Sequence, residues 1–183
     1  MASVVIVGDG PGGLSTALFL AKNGQDVIVL GQDKSSMHYA MLYNYLGIEQ
    51  ITGTEFQKVA RRQIRNFGAT IVDQQVSAVE RSGEGFAVKT ENGESYSSDY
   101  LVIAEGKGLV LAKSLGLPTT DRGVEVDRNF RTSINKLYFV GRGTEIPRSQ
   151  AIISAGQGAV AALDILSAEK GKDFNDFDTP PKD

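Results

Sequence analysis

The chain has 183 residues, enough for one domain with a sizeable core and too few for two ordinary ones. Its 22 acidic and 19 basic side chains leave a net charge of −3, which argues against a nucleic-acid partner or a charged membrane surface. There is no cysteine, so structural disulfides, thiolate metal sites and dithiol redox chemistry are excluded within these residues.

Ser3–Val7 is a β-branched run that ends at glycines and predicts a buried parallel strand. It is only strand-length and carries no basic region ahead of it, so no signal peptide is expected. No stretch approaches the roughly 20 apolar residues of a membrane helix, and the expected placement is cytoplasmic, with no membrane partner. Leu14, Ala17, Leu18 and Ala21 recur at helical spacing and predict a helix to Lys22, stopped by Asn23-Gly24. Val27–Leu30 is a second buried strand, which completes a βαβ unit of about 30 residues. Residues 31–51 are irregular and rich in aromatics. Thr54 is the expected cap of a helix to Phe67, with Phe56, Val59 and Ile64 on its apolar side and Arg61-Arg62 on a solvent face.

Ala69–Val72 reads as a third strand. Val76–Glu80, Phe86–Thr90 and Ser95–Ser98 are separated by Gly83-Glu84-Gly85 and Asn92-Gly93, which predicts a β-meander. Tyr100–Ala104 and Leu137–Val140 return to buried strands. Between them Gly106–Thr132 is a connection with one extended piece, Val124–Val126. Ala151 to about Leu166 predicts a helix rich in alanine and glycine. The fold expected is α/β: a Rossmann-type parallel sheet flanked by helices, with a three-stranded antiparallel meander. One domain covers residues 1–169 and an extended polar tail covers 170–183.

Gly8-Asp9-Gly10-Pro11-Gly12-Gly13 matches G-x-G-x-x-G between a predicted strand and a predicted helix. Gly8 lets the chain turn off the strand, Gly10 leaves room for a pyrophosphate, and Gly13 lets the helix pack close to the sheet. The helix N-terminus then presents free N–H groups to phosphate. Asp33 follows Gly13 by the about 20 residues expected of a ribose-hydroxyl acceptor. These features fit either NAD(P) or FAD.

The remaining motifs resemble the FAD domain of low-molecular-weight thioredoxin reductases. The resemblance runs from VVIVGDGPGGLSTALFLAKNG through VIVLGQDK, where Gly31 and Asp33 sit as Gly-x-Glu does in some members. It includes Asn44 in YNYLGIEQITGTEF, similar to E-N-[WY]-P-G, whose Asn contacts the flavin. It includes FGATI and LVIAEG, and closes on QAIISAGQGAVAALDIL, which resembles the family's last helix. That helix sets its N-terminus against the pyrimidine edge of the flavin, where a partial positive charge stabilises reduction. The resemblance implies FAD contacts from Gly8, Gly10, Pro11, Gly12, Gly13, Gly31, Gln32, Asp33, Asn44, Val76, Ala104, Glu105, Gly106, Gly141, Arg142, Gln150 and Ala151. No metal site is expected.

Several positions depart from the family. Gly106 runs directly on to Leu109–Pro118, so the inserted NADPH domain and its Cys-x-x-Cys pair are missing. The family's Gly-Asp, which holds the ribityl chain, is Gly141-Arg142, and the threonine of A-T-G is Glu105. Ser35-Ser36-Met37 replaces G-G-Q. Arg142 either meets a pyrophosphate oxygen or points away.

His38 is a candidate proton donor beside the flavin, or a histidine bonded within its own loop. Tyr39, Tyr43 and Tyr45 are expected mainly to pack that loop, one of them stacking on the ring. Arg148 is either a flavin or phosphate contact or a surface charge. Phe174 and Phe177 either cover the flavin or belong to a frayed terminus. The activity expected is a flavin-dependent oxidoreductase or electron-transfer domain without dithiol chemistry. Electrons would come from free NAD(P)H, a separate reductase or a small redox protein, and the resemblance implies a homodimer. Two alternatives stay open: a flavin- or nucleotide-binding sensor or assembly subunit without turnover, and an NAD(P)-binding domain without flavin.

Overall fold

The computed structural model describes residues 1–180; residues 181–183 of the expected tail lie outside them. Strand β1 (Ser3–Val7) leads into helix α1 (Pro11–Lys22) and strand β2 (Asp26–Leu30). The irregular loop carries a 3₁₀ turn at Ser36–Tyr39 and two short strands, β3 (Met41–Leu42) and β4 (Ile51–Thr52). Helix α2 (Gly53–Asn66) and strand β5 (Thr70–Val72) follow. Next come the meander β6 (Val76–Ser82), β7 (Gly85–Thr90) and β8 (Ser95–Ser98), and strand β9 (Tyr100–Ile103). The connection onward holds only helix α3 (Val110–Ser114) and the hairpin β10 (Thr119–Thr120) and β11 (Gly123–Val124). Strand β12 (Leu137–Phe139) and helix α4 (Ala151–Lys170) end the order.

Five strands form a parallel sheet in the order β12-β9-β1-β2-β5. Strand periodicity divides their side chains between two cores. Val4 and Ile6, Val27 and Val29, and Tyr100 and Val102 face one side, where α1 and α4 cover them. Val5 and Val7, Leu101 and Ile103, and Leu137 and Phe139 face the other, against Phe86 and Val88 of the meander and Leu111 of α3. A strand buried on both faces has no polar position to alternate with, which explains the unbroken apolar runs. Each fully buried aliphatic side chain contributes about 1.5–3 kcal/mol.

Helices α1 and α4 pack at backbone distance. The Thr16 hydroxyl donates toward the Gly12 and Gly158 carbonyls at 2.9 and 3.2 Å. A Cβ on Gly158 would lie 2.1 Å from the Gly12 oxygen, so only glycine fits. This contact ties the start of α1 to the second turn of α4.

The structure changes several expectations. Thr52, not Thr54, caps α2, its side chain accepting from the Glu55 N–H at 3.2 Å. Thr52 has extended backbone while residue 53 is already helical, which is the capping geometry. Arg61 is not on a solvent face: it is 6% exposed. It lies with Gln57 and Ile64 on the buried stripe of α2, at i, i+4 and i+7. Helix α3 is too short to show a period in sequence. Helix α4 runs to Lys170 and ends at Gly171 in the left-handed region, φ 64°. It is the one described helix long and apolar enough to cross a membrane, contrary to the expectation that none is. Its Ala161, Ala162, Ile165 and Leu166 are instead packed in the core. The tail has no regular structure over 173–180, yet Phe174 packs on the α1–α4 core and Lys22 of α1 pairs with Asp176 and Asp178.

Candidate functional site

A cleft of ≈ 930 Å³ opens at the C-terminal ends of β1, β2, β9 and β12. That volume is at the upper end of the about 300–1,000 Å³ usual for small-molecule sites. The chain leaves β1 for β2 on one side and takes β9 on the other, so the cleft sits where the strand order reverses.

The glycine loop forms its floor. Gly8 has φ +103°, and a Cβ there would lie 2.4 Å from the Ala104 oxygen. A Cβ on Gly13 would lie 2.0 Å from the Gly8 oxygen. These two glycines are required by the protein's own packing. Gly10 is different: the nearest atom to an added Cβ is the Ser35 Oγ at 3.7 Å. Its missing side chain leaves open cleft rather than relieving a contact. Helix α1 starts at Pro11 with no side-chain cap, so its first free N–H groups face this space.

The start of α4 lines the same cleft. Its N-terminus at Gln150-Ala151 has no side-chain cap. The Asn44 amide donates to the Gln150 Oε1 at 2.9 Å and so fastens the long loop to this helix start. Gln157, one turn below Ser154, accepts from the Gly141 N–H at 2.7 Å and the Thr144 hydroxyl at 3.1 Å. It holds the turn after β12 against Gly12, where a Cβ would meet the Gly141 Cα at 3.2 Å.

All the expected contact residues line this cleft except Gly13 and Asp33. Gly13 acts by packing. Asp33 is turned to its own loop: its carboxylate lies 3.0 Å from His38 Nε2, and its N–H donates to Asp9 Oδ2 at 2.9 Å. His38 also contacts the Thr54 hydroxyl at 3.0 Å through Nδ1. Both ring nitrogens are therefore engaged within the loop and α2, and His38 does not line the cleft. Glu105 lines it, but its carboxylate accepts from the Leu111 and Ala112 N–H groups at 3.0 and 2.9 Å and caps α3. Gly31 leaves space for the Asp9 side chain, since a Cβ would lie 2.4 Å from Asp9 Cγ.

None of the three loop tyrosines lines the cleft. Tyr45 packs at a tilt on Phe56, centroids 5.3 Å apart, while Tyr39 and Tyr43 are 94% and 68% exposed. Arg148 is exposed and is not part of the lining, which begins at the next residue, Ser149. Phe174 is on the α1–α4 core and Phe177 is 78% exposed, so neither covers the cleft of its own chain.

Sequence reasoning missed the group behind the floor. Asp9, the first variable residue of the glycine loop, is buried and paired with Arg61, which also pairs with Asp73. The Gln57 amide donates to the Asp9 carbonyl at 2.8 Å. A carboxylate inside a phosphate-type loop was the available signal, because such a charge has to be neutralised. Lys34 and Lys107 on the rim were also missed.

A family model described as pyridine nucleotide-disulphide oxidoreductase matches residues 2–106 and 46–162. A thioredoxin reductase from Rickettsia bellii is 30% identical over 120 residues, covering 63% of this chain and 38% of that protein. A ferredoxin–NADP reductase from Ignicoccus hospitalis is 24% identical over 179 residues, 93% of this chain and 54% of that one. The chain thus spans from about a third to about half of the length of these curated relatives. The solved structure of a thioredoxin reductase from Gloeobacter violaceus superposes with a TM-score of 0.86 at 18% identity, covering 97% of this chain and 99% of that one.

Proposed function

The chain belongs to the pyridine nucleotide-disulphide oxidoreductase family, and from that premise we propose that it binds FAD in this cleft and serves as a flavin-dependent oxidoreductase or electron-transfer domain. One observation carries the reading: the same cleft is lined by two uncapped helix N-termini, α1 behind the glycine loop and α4 behind Asn44. A ligand with a pyrophosphate and a second electron-accepting end matches that pair.

Bound FAD supplies hydride and single-electron chemistry. The chain's own contributions are positional and electrostatic. The α1 N-terminus and the open backbone of Gly10 receive pyrophosphate. The α4 N-terminus lowers the energy of negative charge near Gln150-Ala151. Asn44 keeps the loop closed over that end. These 183 residues contain no cysteine and so carry no dithiol; the proposed electron route from the flavin is to a partner or small substrate. Free NAD(P)H, a separate reductase or a small redox protein is the proposed donor, and a homodimer the proposed assembly.

The visible spectrum of the purified protein, with mass spectrometry of the heat-released ligand, tests the cofactor. A yellow protein releasing FAD is expected; a colourless protein that FAD does not reconstitute overturns the reading. Anaerobic mixing with NADH or NADPH tests turnover. Rapid bleaching supports a redox role, and a spectrum inert to both nucleotides and to chemical reductant favours a binding role.

A further inference from the structure

Arg142 stands apart from the other charged groups of the cleft. It lines the wall beside Gly141, the residue that touches the glycine loop at Gly12. Its Nε is buried with no hydrogen-bond partner, and among the described residues it forms no ion pair. Buried donors are almost always paired, so an orphaned one on a residue that lines the cleft points to a partner that arrives with the ligand.

The two acids that line the cleft with Arg142 are already engaged. Asp9 is held by Arg61, and Glu105 caps α3. Glu145, three residues on and outside the lining, is paired with Arg122 through Oε2 and keeps a buried Oε1 without a partner. Asp33 is outside the lining. The wall therefore presents Lys34, Lys107 and Arg142 against two carboxylates whose charge is spent elsewhere. The turn that carries Arg142 is fixed by Gln157 and Thr144, so the guanidinium is presented on a braced backbone.

We infer that Arg142 is an anion anchor that takes a phosphate oxygen of the bound dinucleotide, making its affinity depend on the pyrophosphate. The assignment rests on the FAD reading above. A guanidinium presents parallel donors that match two phosphate oxygens, whereas hydroxyls of a sugar chain offer no charge to neutralise. The site accordingly selects phosphorylated flavin over the free vitamin.

The test uses the full chain stripped of ligand, with FAD, riboflavin and ADP as probes, followed by flavin fluorescence or calorimetry at two salt concentrations. Thermal melts of each ligand-free variant check folding. Arg142→Gln is expected to weaken FAD and ADP by about 10- to 100-fold, the range for a lost charge-assisted hydrogen bond. Riboflavin binding should be unchanged, and the salt dependence of FAD affinity should flatten. Arg142→Lys, which keeps the charge and loses the fork, should fall between. If wild type binds FAD and Arg142→Gln binds it equally well, the anchor is wrong and the FAD reading stands. An equal loss of FAD and riboflavin, or a lower melting temperature without an affinity change, also overturns the anchor. If wild type binds ADP but neither flavin, the FAD reading fails alone; if it binds none of the three, both fail.

Discussion

The Asp9 carboxylate and the Arg61 guanidinium form a buried ion pair directly behind the glycine loop. One joins the loop and the other joins α2, so the pair fixes the floor of the cleft to the helix beneath the long loop. The same carboxylate oxygen accepts the Asp33 N–H, which helps hold Asp33 in the left-handed region at φ 53°. Removing one partner leaves a charge in a dry setting. Arg61→Met is expected to lose about 3–5 kcal/mol of stability, while the double variant with Asp9→Ala recovers much of it. Urea denaturation of the two single variants and the double variant measures this, and a strictly additive cycle would refute the coupling.

The glycines of the loop should separate into two classes. Gly13→Val forces a Cβ to within 2.0 Å of a carbonyl oxygen and should compromise folding. Gly10→Val projects into open cleft, so the melting temperature should stay within a few degrees while FAD binding is abolished. Circular dichroism melts paired with FAD titration distinguish them. Undiminished affinity in Gly10→Val would remove the glycine loop from the site.

Asn44 and Gln150 are 106 residues apart and share one hydrogen bond. Asn44→Ala should release the loop from the start of α4 and weaken FAD by about 2- to 12-fold, the equivalent of about 0.5–1.5 kcal/mol for one such bond. Stability should change little, since Asn44 is exposed. Equilibrium titration against wild type measures the effect.

Alkaline pH should destabilise the fold through Tyr100. Burial first, and the hydrogen bond to Glu169 second, push its phenol up to about 12. Burial and Asp164 push the Tyr138 phenol in the same direction. An unfolded tyrosine ionises near about pH 10. The folded state keeps its proton longer, so the contribution is complete below about pH 10 and is lost as pH rises toward about 12. Denaturation midpoints across that window should fall, and Tyr100→Phe should flatten the slope. An unaltered slope in Tyr100→Phe would assign the effect elsewhere.

Sequence by itself determined the parallel strands, the meander and the glycine loop, because each depends on short-range pattern. Val4–Val7 and Leu101–Ile103 are apolar without a break because both faces of the sheet are covered, and that composition is legible before any fold is known. The loop glycines are legible because close backbone approach tolerates no side chain. What only the tertiary structure decided is which charges face the cleft. Arg61 looks like half of a surface Arg-Arg pair until its partner Asp9, 52 residues away, is placed beside it. Asp33 has the expected spacing for a ribose acceptor, yet His38 and Asp9 turn it toward its own loop. Glu105 and Arg142 both replace family residues in sequence, but one is spent capping α3 and the other is left with an orphaned donor. Ion pairing and desolvation depend on distances between segments remote in the chain, and no local pattern records those distances.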